Sequence, residues 1–438
     1  MLEVLGNRTY RHLFAAQVIA LIGTGLATVA LGLLAYDIAG ADAGAVLGTA
    51  LAIKMIAYVG IAPIAAAIAE RLPRRAMLVS LDLIRAAVAI FLPFVTEVWQ
   101  VYVLIFVLQA ASAAFTPTFQ ATIPDVLPDE KEYTRALSLS RLAYDLESVA
   151  SPMLAAALLS VVSFHSLFAG TVVGFLASAA LVVSTVLPSP KPQERQSVWR
   201  RTAAGLRIYL ATPRLRGLLA LNLAVAAAGA MVIVNTVVLV QSTFELSQRA
   251  TAFALVAFGA GSMLTALVLP RLLDTRSDRS AMLCGASLLV VGLVIGVFIP
   301  SYALLLPLWF ALGFGYSLAQ TPTGRLLRRS AQPQDRPALF AAQFALSHAC
   351  WLAAYPIAGW LGAKVGLSFT FATLAVIAAA AVAGAAYLWP RQDPAEIAHR
   401  HEDLPADHPH LSDASTTGQR HTHPFIIDDF HQDWPRRP

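Results

Sequence analysis

Residues 188–216 read PSPKPQERQSVWRRTAAGLRIYLATPRLR. Prolines open the segment, and Arg195, Arg200, Arg201, Arg207, Arg214 and Arg216 follow. A charged side chain at the centre of a bilayer costs at least about 2.5 kcal/mol, so this stretch belongs in water. It is the longest polar break in a chain that is 57% hydrophobic and only 13% charged, against about 25% charged in soluble domains. A bilayer-crossing helix needs roughly 20 mostly apolar residues. Working outward from the break, six such stretches lie on each side. They cover approximately 13–37, 44–69, 76–96, 98–118, 137–161 and 164–187, then 216–241, 250–273, 281–300, 302–323, 338–360 and 366–389. Two equal halves around a polar connection mark a duplicated transporter bundle. The expected organisation is an all-α membrane protein. Residues 1–187 form one six-helix half, 188–215 the central loop, 216–390 the second half and 391–438 a polar tail. The first stretch is too long for a cleaved signal peptide and lacks a small-residue cleavage site.

Charge gives the orientation. Of 31 Lys and Arg, 27 fall in alternate connections or the span ends adjoining them, the N-terminal segment and the tail. The opposite connections hold only Arg249 and Lys364, while Lys54 and Arg85 lie inside apolar stretches. Positive residues stay on the cytoplasmic side. Both termini are therefore expected in the cytoplasm, with the protein in the inner or plasma membrane. The basic pI near 9.3 reflects this topology and does not call for nucleic acid. Cys284 and Cys350 both sit in apolar stretches, so no disulfide framework is implied.

Ionisable residues inside a membrane usually face other helices and are paired or functional. Asp82 and Arg85 are three apart on the third span and share a helix face. A mutual structural pair, bracing the nearby loop, is the simpler reading. Arg141 and Asp145 are four apart on the fifth span and pair in the same way. Lys54, Glu147 and His348 have no partner on their own helix. His348 is either a metal ligand or a hydrogen-bonded interior histidine. Glu147 is a ligand, a proton carrier or the counter-ion of Lys54. Polar stripes run along three further spans: Gln17, Thr24 and Thr28; Gln109, Ser112, Thr116 and Gln120; and Tyr316, Gln320 and Thr323. A polar stripe on an apolar helix faces protein or water, not lipid.

The last 40 residues hold seven of the ten histidines, six of them in H-x-H pairs. The pairs are His399 and His401, His408 and His410, and His421 and His423, with His431 further on. Imidazole is the commonest side-chain ligand of Ni, Co, Cu and Zn. Two ligands are too few for a closed site, so several weak, exchangeable metal sites are expected. The composition of the tail predicts a largely disordered segment. Its apolar end, Phe425 to Phe430, is expected to dock on the bundle or on a partner. A solvated tail with chance histidines is the plain alternative.

Sequence motifs add a resemblance. Ala66-Ala-Ile-Ala-Glu70-Arg71-Leu-Pro73-Arg74-Arg75 resembles the G-x-x-x-D-R-x-G-R-R loop of the major facilitator superfamily. Ala66, Glu70 and Pro73 depart from that pattern. Phe115-Thr-Pro117-Thr-Phe-Gln-Ala121-Thr-Ile-Pro124-Asp-Val-Leu-Pro128 is similar to a segment of its siderophore and macrolide exporters. Thr212-Pro213-Arg214-Leu215-Arg216 opens span seven as a third cue. Within the superfamily, the His pairs, the ending Ile426-Ile427-Asp428-Asp429-Phe430-His431 and the N-terminal Asn7-Arg-Thr-Tyr-Arg-His12 resemble the nickel-resistance (NreB-like) efflux permeases. The resemblance implies that spans one, four, seven and ten line a cavity. It also implies that spans two and eleven, and five and eight, meet across the halves. Lys54, Asp145, Glu147 and His348 would then stand near the pathway with Gln17, Thr24, Thr28, Gln109 and Gln320. Glu70, Arg71, Arg74 and Arg75, braced by Asp82 and Arg85, would form a gating loop. The Ser151-Pro152 to Ala155-Ala156 stretch departs from the G-P-x-x-G-G of proton-coupled drug exporters. Thr24 follows Gly23 where related exporters often carry Asp.

These features predict a secondary exporter of a divalent transition metal, Ni²⁺ or Co²⁺. It works by alternating access against proton entry and needs no resident cofactor. An exporter of an organic compound (a drug, a siderophore or a metal chelate) is the alternative, and a membrane metal sensor a third. No nucleotide-binding motif or catalytic constellation is present, so an enzyme is not expected.

Overall fold

The computed structural model describes residues 2–69, 73–187, 198–275, 277–332, 335–393, 396–400, 420–428, 431 and 434–435. Twelve long helices, from 18 to 32 residues, follow the apolar stretches closely. The first half contains α1 (Arg8–Ala39), α2 (Ala43–Ala69), α3 (Arg74–Phe91), α4 (Val98–Val126), α5 (Glu130–Leu159) and α6 (His165–Val183). The second contains α8 (Pro213–Val238), α9 (Gln248–Thr275), α10 (Asp278–Gly296), α11 (Tyr302–Gln320), α13 (Arg336–Lys364) and α14 (Leu367–Leu388). Two shorter helices supplement them: α7 (Val198–Ala211) in the central connection and α12 (Thr323–Arg329) after α11.

Local chemistry sets the ends of these helices. The Asn7 side chain accepts from the Tyr10 amide at 3.1 Å and starts α1, the usual role of an N-cap. Ser277 caps α10 in the same way. Gly40 at φ 54° ends α1, and Gly366 at φ 106° turns the chain from α13 into α14. The α8 helix runs into a single π turn over 239–243.

The packing repeats. α1 packs on α6 and α5, α2 on α4, and α3 on α4 and α6. In the second half, α8 packs on α14 and α13, α9 on α11, and α10 on α11 and α14. The same six-helix pattern thus occurs twice. The halves join along α2 with α13 and along α5 with α9. Large apolar side chains on the perimeter stay exposed, including Phe106, Val173, Leu267, Val291 and Val376. Such a belt is unfavourable in water and suits lipid. Trp99 and Tyr387 are exposed at opposite ends of the bundle, where interfacial aromatics are enriched.

Parts of the tail lie among the described residues. Glu396–Arg400 and Arg420–Pro424 form an antiparallel two-stranded ribbon. Beyond it, Phe425 and Ile427 are buried in the main apolar cluster, which includes residues of both halves, with Trp434 packed against it. Burial of these side chains supplies the ordering energy that a polar segment lacks.

Candidate substrate pathway

Thr24 and Thr28 from α1, Leu51 and Lys54 from α2, and Gln109 and Ser112 from α4 surround one cavity. Leu92, Ile105 and Phe175 form apolar walls. All its lining residues belong to the first half. The three hydroxyls are committed in the same way. Thr24 donates to the Ala20 carbonyl at 2.9 Å, Thr28 to Thr24 at 3.0 Å and Ser112 to Leu108 at 2.9 Å. Their lone pairs remain available as acceptors. Gln109 is 7% exposed, and among the described residues its Oε1 has no hydrogen-bond partner.

Lys54 Nζ lies 5.8 Å from the centroid of the Tyr58 ring, one turn further along α2. Glu147 of α5 is close enough for its charge to interact with that of Lys54. Gly25 makes room for it. A Cβ at Gly25 would come within 2.5 Å of Glu147 Oε1 and 2.1 Å of Ser151 Oγ. α1 and α5 therefore approach closely only because this position is glycine.

His348 comes from the second half and meets Tyr58 across the α2–α13 seam. The two rings stack with centroids 5.5 Å apart and planes within 4°. Phe344 covers the imidazole at 3.9 Å. His348 Nδ1 is 2.7 Å from the Phe344 carbonyl. A carbonyl only accepts, so Nδ1 carries the proton and Nε2 is left as the acceptor. Lys54 also acts electrostatically on this ring. Lys54, Glu147 and His348, separated in sequence by up to 294 positions, thus form one cluster.

Other expected pathway residues stand elsewhere. Gln17 is buried at the α1–α5 contact, where its Oε1 accepts from Ser140 at 2.9 Å. It is a helix-to-helix bond and not a cavity wall. Gln320 is the last residue of α11 and Thr323 opens α12, so that stripe does not continue along one helix. The side chains of Gln120, Arg141 and Asp145 lie outside the described residues, as do Glu70 and Arg71. Arg74 pairs with Asp125 at 2.5 Å, and Arg75 donates to the Val183 carbonyl. These contacts tie the start of α3 to α4 and α6. Asp82 and Arg85 do pair with each other.

Sequence reasoning missed the seal at the end of the bundle opposite the basic loops. Gly44 and Gly48 of α2 face Gly359 of α13 so closely that a Cβ on Gly359 would lie 2.2 Å from the Gly44 carbonyl oxygen. Trp360 Nε1 donates to Thr49 Oγ1 at 3.1 Å. Arg249, at the start of α9, donates to the Leu159 and Ser160 carbonyls at 3.2 and 2.6 Å. It thereby places a cation on the C-terminus of α5. The available signal was its isolation as one of two cations on a face depleted of Lys and Arg.

In the tail, the ribbon sets His399 opposite His421 in register. The side chains of His399, His421 and His423 lie outside the described residues, as do His401, His408 and His410 entirely. His431 is 4% exposed, and its Nδ1 lies 2.8 Å from Asp428 Oδ1. Its ring meets Phe425 edge-on at 4.5 Å. Burial and this hydrogen bond make His431 an anchor of the docked segment and remove it from the freely exchangeable ligands. Among the described residues, no three His, Cys, Asp or Glu gather in a metal-binding group.

Residues 13–247 and 218–426 each match the Major Facilitator Superfamily. The chain belongs to this superfamily. It is a multi-pass membrane transporter and not an enzyme. This facilitator is 24% identical over 289 residues to an uncharacterised transporter of the superfamily, YfiS of Bacillus subtilis, covering 62% of this chain and 67% of that one. It is 25% identical over 181 residues to macrolide efflux protein A of Streptococcus pyogenes, covering 40% and 44%. Its fold is similar to the nucleoside transporter NupG, with a TM-score of 0.68 at 14% identity, over 87% of this chain and all of that one. A D-xylose–proton symporter aligns with a TM-score of 0.63 at 14% identity, over 87% and 98%.

Proposed function

We propose that this facilitator exports a small organic compound from the cytoplasm by alternating access. The observation that carries this reading is the cavity: apolar walls, neutral hydrogen-bonding groups and one lysine, with no cluster of metal-ligating side chains among the described residues. The similarity to a macrolide efflux protein supports the outward direction. The distribution of Lys and Arg supports a cytoplasmic basic end, and on that reading the seal at Gly44, Gly359 and Arg249 is the external one. The structure then corresponds to a state closed to the outside.

Export of a divalent ion such as Ni²⁺ or Co²⁺, in exchange for protons, is a second reading. It is favoured by the His399–His421 register and by the acceptor Nε2 of His348. Lys54 opposes it, because an ammonium beside His348 repels a dication. Expression in a strain lacking its main efflux pumps separates the two. The organic reading expects lower accumulation of at least one fluorescent organic compound and unchanged tolerance to nickel and cobalt. Gain of metal tolerance, with organic accumulation unaltered and the protein present in the membrane, would overturn it.

A further inference from the structure

Among the described residues, Lys54 is the single charged side chain lining the cavity. Its counter-charge, Glu147, is not among the lining residues. The carboxylate packs against the α1 backbone at Gly25. Among the described residues, a ligand entering the cavity therefore meets an ammonium and no carboxylate. The neutral groups nearby suit hydrogen-bond donors on the ligand's body and not the anionic group itself. Thr24, Thr28 and Ser112 have donated their hydroxyl protons to their own helices, so they offer acceptors that stabilise an O–H or N–H beside an anionic group. The Gln109 amide also lines the cavity, and among the described residues its oxygen has no partner. Leu51, Leu92, Ile105 and Phe175 take an apolar body.

We propose that the cavity selects amphiphilic organic anions, with a carboxylate or similarly compact anionic group seated on Lys54 and a ring or chain against Phe175 and Ile105. The π face of Tyr58 and the charge of Glu147 stabilise the ammonium in its dry surroundings, and the bound anion adds a partner on the open side. An organic cation meets like charge at the same spot. The inference rests on the export reading for its physiological meaning. An interior-negative membrane potential drives an anion outward, which accords with that reading.

Three probes that share one ring system test the proposal: 2-naphthoate, 2-naphthamide and 2-naphthylmethylammonium. Each is titrated against the full chain in nanodiscs by calorimetry. The expected order is naphthoate first, by at least about tenfold over the amide, with the ammonium weakest. Lys54→Gln abolishes the preference and Lys54→Arg retains it. A preference that survives Lys54→Gln, an ammonium that binds best, or no binding by any probe at millimolar concentration overturns the proposal. Proteoliposome flux separates this inference from the export reading. Lys54-dependent binding of naphthoate without flux would discard the transport of such anions and keep the site. Flux of all three probes at equal rates would keep transport and discard the anion selectivity.

Discussion

Asp82 and Arg85 are a turn apart on α3 and both nearly inaccessible. Ser178 of α6 donates to Asp82 at 2.7 Å, while the guanidinium lies between Phe115 at 4.2 Å and Phe175 at 4.5 Å. One ion pair thereby stitches α3, α4 and α6 together. Asp82→Ala leaves the guanidinium buried without its carboxylate, a change that costs about 3–5 kcal/mol in comparable pairs. The thermal midpoint in detergent is expected to drop sharply, and Asp82→Ala with Arg85→Leu together to recover most of the loss. A midpoint unchanged in the single variant would show that the pair is not a brace. The pair was legible because its members share a helix face. Thr24, Thr28, Lys54 and Gln109 were legible as polar residues where lipid would forbid them. Gln17 was misplaced because its partner Ser140 is on another helix, and no periodicity reports a contact across 123 positions. Tyr58 carried no signal at all, since an aromatic residue in an apolar run is indistinguishable from a lipid-facing one.

At the scale of elements, the α2–α13 seam follows from small residues. Gly44 and Gly48 lie one turn apart on α2, and Gly359 fits between them. Small residues let membrane helices approach to backbone contact. Gly359→Ala inserts a methyl group 2.2 Å from the Gly44 carbonyl oxygen, so the helices must separate at that end. The expected outcome is a shift towards the state open on that side. In a background lacking Cys284 and Cys350, a cysteine at Thr49 should react several-fold faster with a membrane-impermeant maleimide than in the parent. Equal rates would show that the seam does not control access. All twelve long helices were readable from hydropathy, with ends displaced by a few residues. α4 continues to Val126 and α5 begins at Glu130, beyond the apolar stretches, because polar residues prolong a helix outside hydrocarbon without raising its hydropathy. α7 was missed for the same reason: Arg200, Arg201 and Arg207 mask an amphipathic helix within a charged loop.

At the scale of the whole molecule, the tail is joined to the second half through one buried arginine. Arg214 is 3% exposed. It donates to Ser330 Oγ at 2.8 Å and pairs with Asp393 at 3.1 Å, and Trp434 lies over its guanidinium at 5.1 Å. Arg329 also pairs with Asp393, at 3.0 Å, and Trp389 Nε1 donates to the same carboxylate at 3.3 Å. Asp393 is thus the counter-ion of a buried cluster at the foot of α8, α12 and α14, although it lies past the last apolar stretch. Composition drew the boundary at Arg391 because hydropathy ends there, but the electrostatics of the bundle extend two residues further. Two truncations separate the contributions. Ending the chain after Pro390 removes Asp393 and leaves Arg214 with a like-charged neighbour, Arg329. Ending it after Glu396 keeps Asp393 and removes only the histidine-rich ribbon and the docked segment. The shorter chain is expected to lose about 3 kcal/mol or more and to be recovered poorly from membranes. The longer one should remain folded, with a smaller loss from Phe425 and Ile427. Its rate of organic efflux should match the full chain, since the cavity is lined by first-half residues whereas the described tail contacts at Asp393 are made to the second half. If both truncations lower the thermal midpoint equally, Asp393 is not the counter-ion on which the second half depends, and apolar docking alone holds the tail in place.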